Sequence, residues 1–536
     1  MVNMKTRKFN STLFALLTLV ITLSLPGQYF HTADRCIACH SQLTTPKGEV
    51  FAFSSDWASS MMANSARDPY WQAAIRRETL VHPSASKAIQ NECAGCHMPM
   101  NRTMAKLNSL EGEVFAHLPL HSHLTPDSLL AADGVSCTMC HQIKGDNLEE
   151  KESFTAGYLV DNSLPLGNRP LYGPFETDTG RTQLMRSSSQ FIPAEGKHIQ
   201  SAEFCASCHT LYTHTLNEKG ESIGILPEQV PYLEWKHSSF PGTASCQTCH
   251  MPEIEGTTAV STVLGQAREK VSRHQFRGGN ILLPAIFASY RNELAVKALP
   301  TELDQTRRMS LENLQSKSAH LTITTARIES GRINCTVKVN NLAGHKLPTA
   351  YPSRRVWLHL KIIDQDENIL FESGKLNTDG SIAGNDNDHN ASQFEPHYQV
   401  ISDPGQVQIY ESVMGDQHDA VTTTLLSGLK YLKDNRILPR GFQKNTAPSD
   451  CAVRGNAIND DNFLAAEDLI LLDIPITEDQ RPAKVIAELW YQPIGYRWAH
   501  NLKDRDAFEI KRFISYYEKL ALVSAALIAQ TESVLQ

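Results

Sequence analysis

The chain has 536 residues, 41% hydrophobic and 20% charged, with 50 Lys and Arg against 58 Asp and Glu for a formal net charge of −8. That length makes two to four domains, and the acidic balance argues against the basic footprint on which nucleic-acid binding depends. Ten of the twelve cysteines fall in five copies of one pentapeptide, so nearly all of the chain's thiols are committed to a single kind of site.

In chain order, the N-terminus comes first and has the form of an export signal. Lys5, Arg7 and Lys8 precede a nearly unbroken apolar run from Leu13 to Leu25, closed by Pro26-Gly27. The run has thirteen residues, short of the ~20 that span a bilayer. No A-x-A cleavage site follows, so an uncleaved anchor stays open as the alternative and as the one route to membrane association. Residues 1–30 are read as a signal peptide or N-terminal anchor, which directs the product to the periplasm, the cell surface or beyond.

Between residues 31 and 280 the sequence Cys-x-x-Cys-His begins at Cys36, Cys93, Cys137, Cys205 and Cys246, at intervals of 57, 44, 68 and 41 residues. This is the attachment signature of haem c. The thiols of Cys36 and Cys39, Cys93 and Cys96, Cys137 and Cys140, Cys205 and Cys208, and Cys246 and Cys249 form thioethers to the porphyrin, and His40, His97, His141, His209 and His250 become the proximal iron ligands. A zinc knuckle or redox dithiol would use the cysteine pair but has no need of a histidine directly after the second cysteine. Five repeats of that histidine, with dissimilar residues between the cysteines, select covalent haem. Elsewhere in this stretch Pro, Gly, Ser, His and Met are scattered with little sustained period, apart from a short helix expected over Tyr70 to Leu80. Such a sequence makes a poor core alone, but apolar haem faces give polypeptide something to wrap. The expectation is one haem-organised unit of short helices and loops.

Residues 281–316 carry apolar positions at helical spacing, interrupted by Pro300, and read as two helices bridging to a second domain. Beyond them "HLTITTARI", "INCTVKVNN", "RVWLHLKIID", "ILFESGK", "DLILLDIPI" and "AKVIAELWYQ" alternate apolar and polar residues between Gly, Asn and Asp turns. They predict a β-sandwich within 317–536, closed by a helix over "AFEIKRFISYYEKLALVSAALIAQ". Cys335 and Cys451 lie in this half, where an oxidising compartment would permit them to pair. The oxygen-rich "AGNDNDHN" offers a calcium site or a solvated Asn/Asp turn, and the turn fits better because no EF-hand pattern is present.

Each iron has a second axial position, and its occupant separates electron carriers from catalysts. Nine further histidines lie in 31–280: His31, His82, His117, His121, His123, His198, His214, His237 and His274. Met61 and Met62 compete as thioether ligands or as gap-fillers against porphyrin.

The blocks "ECAGCHMPM", "AADGVSCTMCHQI", "FCASCHTLYTH", "PYLEWKHSSF", "SCQTCHMP", "RHQFRGGN", "GHKLPTAYPSRR", "YLKDNRILPRGF" and "ELWYQPIGYRWAHNL" span nearly the whole mature chain. In them the chain resembles the exported bacterial multihaem cytochromes c that pair a haem-rich N-terminal half with a C-terminal β-sandwich. With that resemblance the preferred distal ligands are Met62, His82, His117, His198 and His274, with His237 and His214 in reserve. His345 of "GHKLPT" is either a further ligand at a domain interface or a turn residue. The implied function is electron transfer along five haems between redox partners, either proteins or quinol-linked donors, with the sandwich as a docking or assembly module. Two rivals are a multihaem reductase or oxidase of a small nitrogen or sulfur compound, and a haem-bearing filament in which one subunit ligates a haem of the next.

Overall fold

The computed structural model describes residues 29–122, 124–477 and 479–536. All of the expected export signal except Tyr29 and Phe30 lies outside the described residues, and so does His123. Among the described residues no helix is long and apolar enough to cross a membrane.

Up to residue 280 the chain is a set of short helices joined by loops, to which the structure adds four two-stranded sheets. The expected helix over 70–80 is α1, Pro69–Val81. Its start is written locally: the Asp68 carboxylate accepts from Tyr70 N at 2.8 Å and Trp71 N at 3.1 Å, and Pro69 occupies the first turn, where no N–H is needed. Asp68→Ala is expected to lower stability by about 1 kcal/mol through loss of this cap, measured as a lower Tm of the holoprotein at unchanged haem content.

The segment 281–316 forms two helices, α2 over Leu282–Ser289 and α3 over Pro300–Lys317. Pro300 opens α3 rather than merely interrupting a longer helix, because its fixed φ suits the first helical position. These helices are more than a bridge. Leu282, Leu283, Ile286 and Phe287 are fully buried with Tyr70 of α1 and with Phe513 and Tyr517 of α4, Phe508–Lys519, in one apolar cluster. Two forked ion pairs border that seam: Arg76 on Glu509 at 2.8 and 3.0 Å, and Arg77 on Asp504 at 2.9 and 3.1 Å.

Past residue 318 the expected strands form two main sheets. In the first, β2 (Arg332–Asn341) lies antiparallel between β1 (Ala319–Glu329) and β4 (Glu467–Pro475). In the second, β3 (Arg355–Asp364) pairs antiparallel with β5 (Pro482–Gln492). The strict alternation of burial along β2 and β4 shows why: Ile333, Cys335, Val337, Val339, Ile470 and Leu472 point inward and meet Val356, Leu358, Leu360, Val485 and Leu489 of the other sheet in a single core.

One expectation needs correction, and two alternatives that the sequence leaves open are decided. The helix expected through 507–530 ends at Lys519, and Ala526–Val534 is instead a strand, β6, paired antiparallel with β5. The run "ALIAQ" is apolar enough for either period, and the open edge of β5 supplies a hydrogen-bond ladder that settles it as strand. Cys335 and Cys451 are free thiols buried in the shared core, and burial pushes the pKa of each up to about 12. The oxygen atoms of "AGNDNDHN" are committed within the protein: Asp388 pairs with Arg355 at 2.8 Å and accepts from Ile382 N, while Asn385 caps the short helix Asp386–His389. The segment is a structural turn, and calcium has no support there.

Candidate functional site

The five pentapeptides lie on or directly beside short helical turns: Asp34–Ile37, Ser86–His97, Cys137–Cys140, Ala202–His209 and Cys246–His250. On a helix, residues three apart share a face, so each turn presents both thiols together with the histidine close behind. The motifs are also brought to one another. Cys36 neighbours Cys137, Cys96 neighbours Cys208, and Cys205 neighbours Cys246, with Cys140 close to both Cys205 and Cys208. These contacts join motif one to three, three to four, four to five, and two to four. A zinc knuckle would gather its ligands at one point, whereas among the described residues no three of these thiols come within 4.8 Å of one another.

Four of the five motif histidines share a second feature. Nδ1 of His40 donates to the Val260 carbonyl at 2.7 Å, that of His97 to Ser65 at 3.0 Å and that of His141 to Tyr172 at 2.6 Å, and Nδ1 of His250 donates to the Arg277 carbonyl. A carbonyl can only accept, so the proton is on Nδ1 and the Nε2 lone pair is left for a metal. Burial lowers His97 and His209 to about 4 and also lowers His141 and His250, so these four rings are neutral at pH 7 and each could serve as a metal ligand. Trp71 of α1 stacks flat on His97, centroids 4.3 Å apart and planes within 2°, which fixes the rotation of that ring.

Two of the motif histidines face a second imidazole. The His141 and His274 rings are 6.2 Å apart with planes 18° apart, and the His250 and His345 rings are 6.2 Å apart with planes 20° apart. Two metal–nitrogen bonds of about 2.0 Å, with each ring centre about 1.1 Å behind its nitrogen, require about 6.2 Å between centroids. Both pairs therefore have the spacing of axial ligands on opposite sides of one haem iron. Nδ1 of His345 donates to the Lys346 carbonyl at 2.9 Å, the same arrangement that frees Nε2 in the motif histidines. His274 has a buried Nδ1 without a protein partner, and burial lowers it to about 3.

The remaining preferred ligands are placed differently. His82, directly after α1, is buried with Nδ1 unpartnered and Nε2 3.4 Å from Ser427 Oγ. His117 is half-buried, its Nδ1 3.0 Å from Ser128 Oγ. His198 donates from Nε2 to the Ile143 carbonyl at 2.8 Å and packs edge-on to Tyr172 beside His141. Met62 is half-buried and its carbonyl accepts from Val135 N, two residues before Cys137. His214 and His237 are exposed. Of the five preferred side chains, His274 is the one whose ring is stacked across from a motif histidine. His345, for which the sequence allows a turn role equally well, is the other; its proximity to a motif about 100 residues earlier is a tertiary fact that local spacing does not carry.

The chain matches no protein-family model and no curated protein. Among solved structures it is similar to a penta-heme cytochrome c552 from Thermochromatium tepidum, with 16% sequence identity and a TM-score of 0.54 over 95% of this chain and 100% of that one. At that identity the likeness speaks to the fold alone, which the two chains share over almost the whole length of each.

Proposed function

We propose that this chain is an exported c-type cytochrome with five covalently bound haems that transfers electrons between redox partners. When bound, haem c supplies a one-electron iron couple at each motif. The chain's own part is to hold, space and insulate those groups. The observation that carries the reading is the 6.2 Å spacing of the His141–His274 and His250–His345 rings, because two protein ligands on one iron leave no face for substrate. The neighbouring of thiols from different motifs supports it, since thioethers formed there would bring successive porphyrin edges close together. So does the fold shared with a penta-heme cytochrome. In this reading electrons pass along motifs one, three, four and five, with motif two joining at four. The two-sheet body is a β-sandwich that completes the fifth site by contributing His345, a more direct role than docking.

The test is the purified holoprotein. Pyridine haemochrome analysis and intact mass are expected to give five haems, with mainly low-spin signals by electron paramagnetic resonance. His274→Ala is expected to convert one haem to a high-spin, carbon-monoxide-binding form. A resting haem that takes up nitrite or cyanide in the unaltered protein would move the assignment to a reductase. A haem count well short of five would overturn the cytochrome reading.

A further inference from the structure

Three separated sequence blocks, "PYLEWKHSSF", "GHKLPTAYPSRR" and "YLKDNRILPRGF", converge behind His345. Their meeting point is a closed set of four charged side chains with almost no solvent contact: Glu234 and Lys346 are 0% exposed, Asp434 3% and Arg436 7%. Lys346 Nζ lies 2.8 Å from Asp434 Oδ2, and Arg436 grips Asp434 with Nε and Nη2 at 2.9 and 2.7 Å. Arg436 Nη1 stands 2.9 Å from Glu234 Oε1. Two positive and two negative charges cancel, which is the condition for burying them at all.

Glu234 has a second task. It sits on the short helix Pro231–Lys236 of the haem-bearing half, and its Oε2 accepts from Lys346 N at 3.1 Å and from the Thr349 hydroxyl at 2.5 Å. Those two donors flank the loop that begins with His345. The other side of the loop is fixed by Asn341, whose Nδ2 donates to the His345 and Ile437 carbonyls at 2.8 and 2.9 Å, and by paired backbone bonds between Leu347 and Ile437. Gly344 lies against Trp235 and Phe240, where an added Cβ would come to 3.4 Å from both rings. A well-packed apolar cluster would give at least as much stability as four buried charges. What the charges add is direction, because each hydrogen bond fixes where the loop backbone lies.

We propose that Glu234 is a positioning residue: with Lys346, Asp434 and Arg436 it locks the His345 loop onto the haem-bearing half and so sets the axial ligation of the fifth haem. The inference rests on the reading that His250 and His345 share that haem. It differs from that reading in assigning the control of the ligand to a group that touches neither iron nor porphyrin.

The experiment compares four holoproteins by electron paramagnetic resonance and carbon monoxide titration of the reduced form. His345→Ala is expected to make one haem in five high-spin and carbon-monoxide-binding. Glu234→Gln keeps the shape but removes the charge that faces Arg436 and Lys346, and is expected to give the same one-in-five change, partial or complete. Thr349→Val, which removes one bond to Glu234 without stranding a charge, is expected to give a smaller change in the same direction and serves if Glu234→Gln does not accumulate. Thr349→Ser keeps the hydroxyl and is expected to stay low-spin. If His345→Ala creates the high-spin haem while Glu234→Gln and Thr349→Val remain fully low-spin, the positioning role is overturned and the ligand assignment stands. If His345→Ala itself changes nothing, the ligand assignment is overturned.

Discussion

Replacing both cysteines of the third motif, as Cys137→Ala with Cys140→Ala, is expected to yield a protein with one haem fewer and a divided internal path. Motif three occupies the junction: Cys137 lies beside Cys36 of motif one, and Cys140 lies near Cys205 and Cys208 of motif four. In the proposed cytochrome the group at His141 would then have axial bonds alone to keep it in the His141–His274 gap, too few to retain it. Pyridine haemochrome should read four haems in place of five. In stopped-flow reduction the remaining haems should fall into two populations, with motif one separated from motifs two, four and five. Retention of five haems, or an unaltered single reduction phase, would argue that the motifs do not work as a connected series.

The second large effect is expected in the sheet region and concerns stability rather than cofactor. Arg355 at the start of β3 is 4% exposed and its partner Asp388 is 0% exposed, 2.8 Å apart. Arg355 also donates to Gln492 Oε1 at 2.8 Å and to the Gly380 carbonyl at 3.3 Å. Arg355→Met removes the cation and leaves the Asp388 carboxylate buried with the Ile382 amide as its remaining donor among these contacts. Breaking a buried pair from one side costs about 3–5 kcal/mol, so a large fall in Tm is expected with no change in haem content. The double variant Arg355→Met with Asp388→Leu should recover much of the loss, because the stranded charge is gone. Failure of that recovery would show that the arginine's other bonds, to Gln492 and Gly380, carry most of its contribution.

Whether a feature is legible in the sequence depends on whether the interaction that controls it is local. Cys-x-x-Cys-His is a covalent requirement written within five residues, and Asp68-Pro69 starts a helix through bonds that reach only to Tyr70 and Trp71. The alternating strands of the two sheets are equally plain, since burial on one face forces a period of two. The pairings of His141 with His274 and of His250 with His345 are not. His274 and His345 carry no mark in their own neighbourhoods that distinguishes them from His82 or His198; what selects them is the ring that tertiary structure puts 6.2 Å away. The strand Ala526–Val534 passes for helix in the sequence for the same reason, its apolar spacing being indifferent until the edge of Pro482–Gln492 is present to pair with it.

The seam between α1 and α4 bears on how the chain is assembled. Arg76 finds Glu509, and Arg77 finds Asp504, more than 400 positions further along. Tyr70 packs against Phe513 over a similar span, and the Gln536 carbonyl accepts from Ile328 N. During synthesis from the N-terminus, the surface of α1 therefore stays without this cover until residues 504–517 have been made. All ten motif thiols are made well before that moment. The ten thiols therefore precede the residues that close this seam, and a product truncated before Phe508 would lack the helix that covers α1 there.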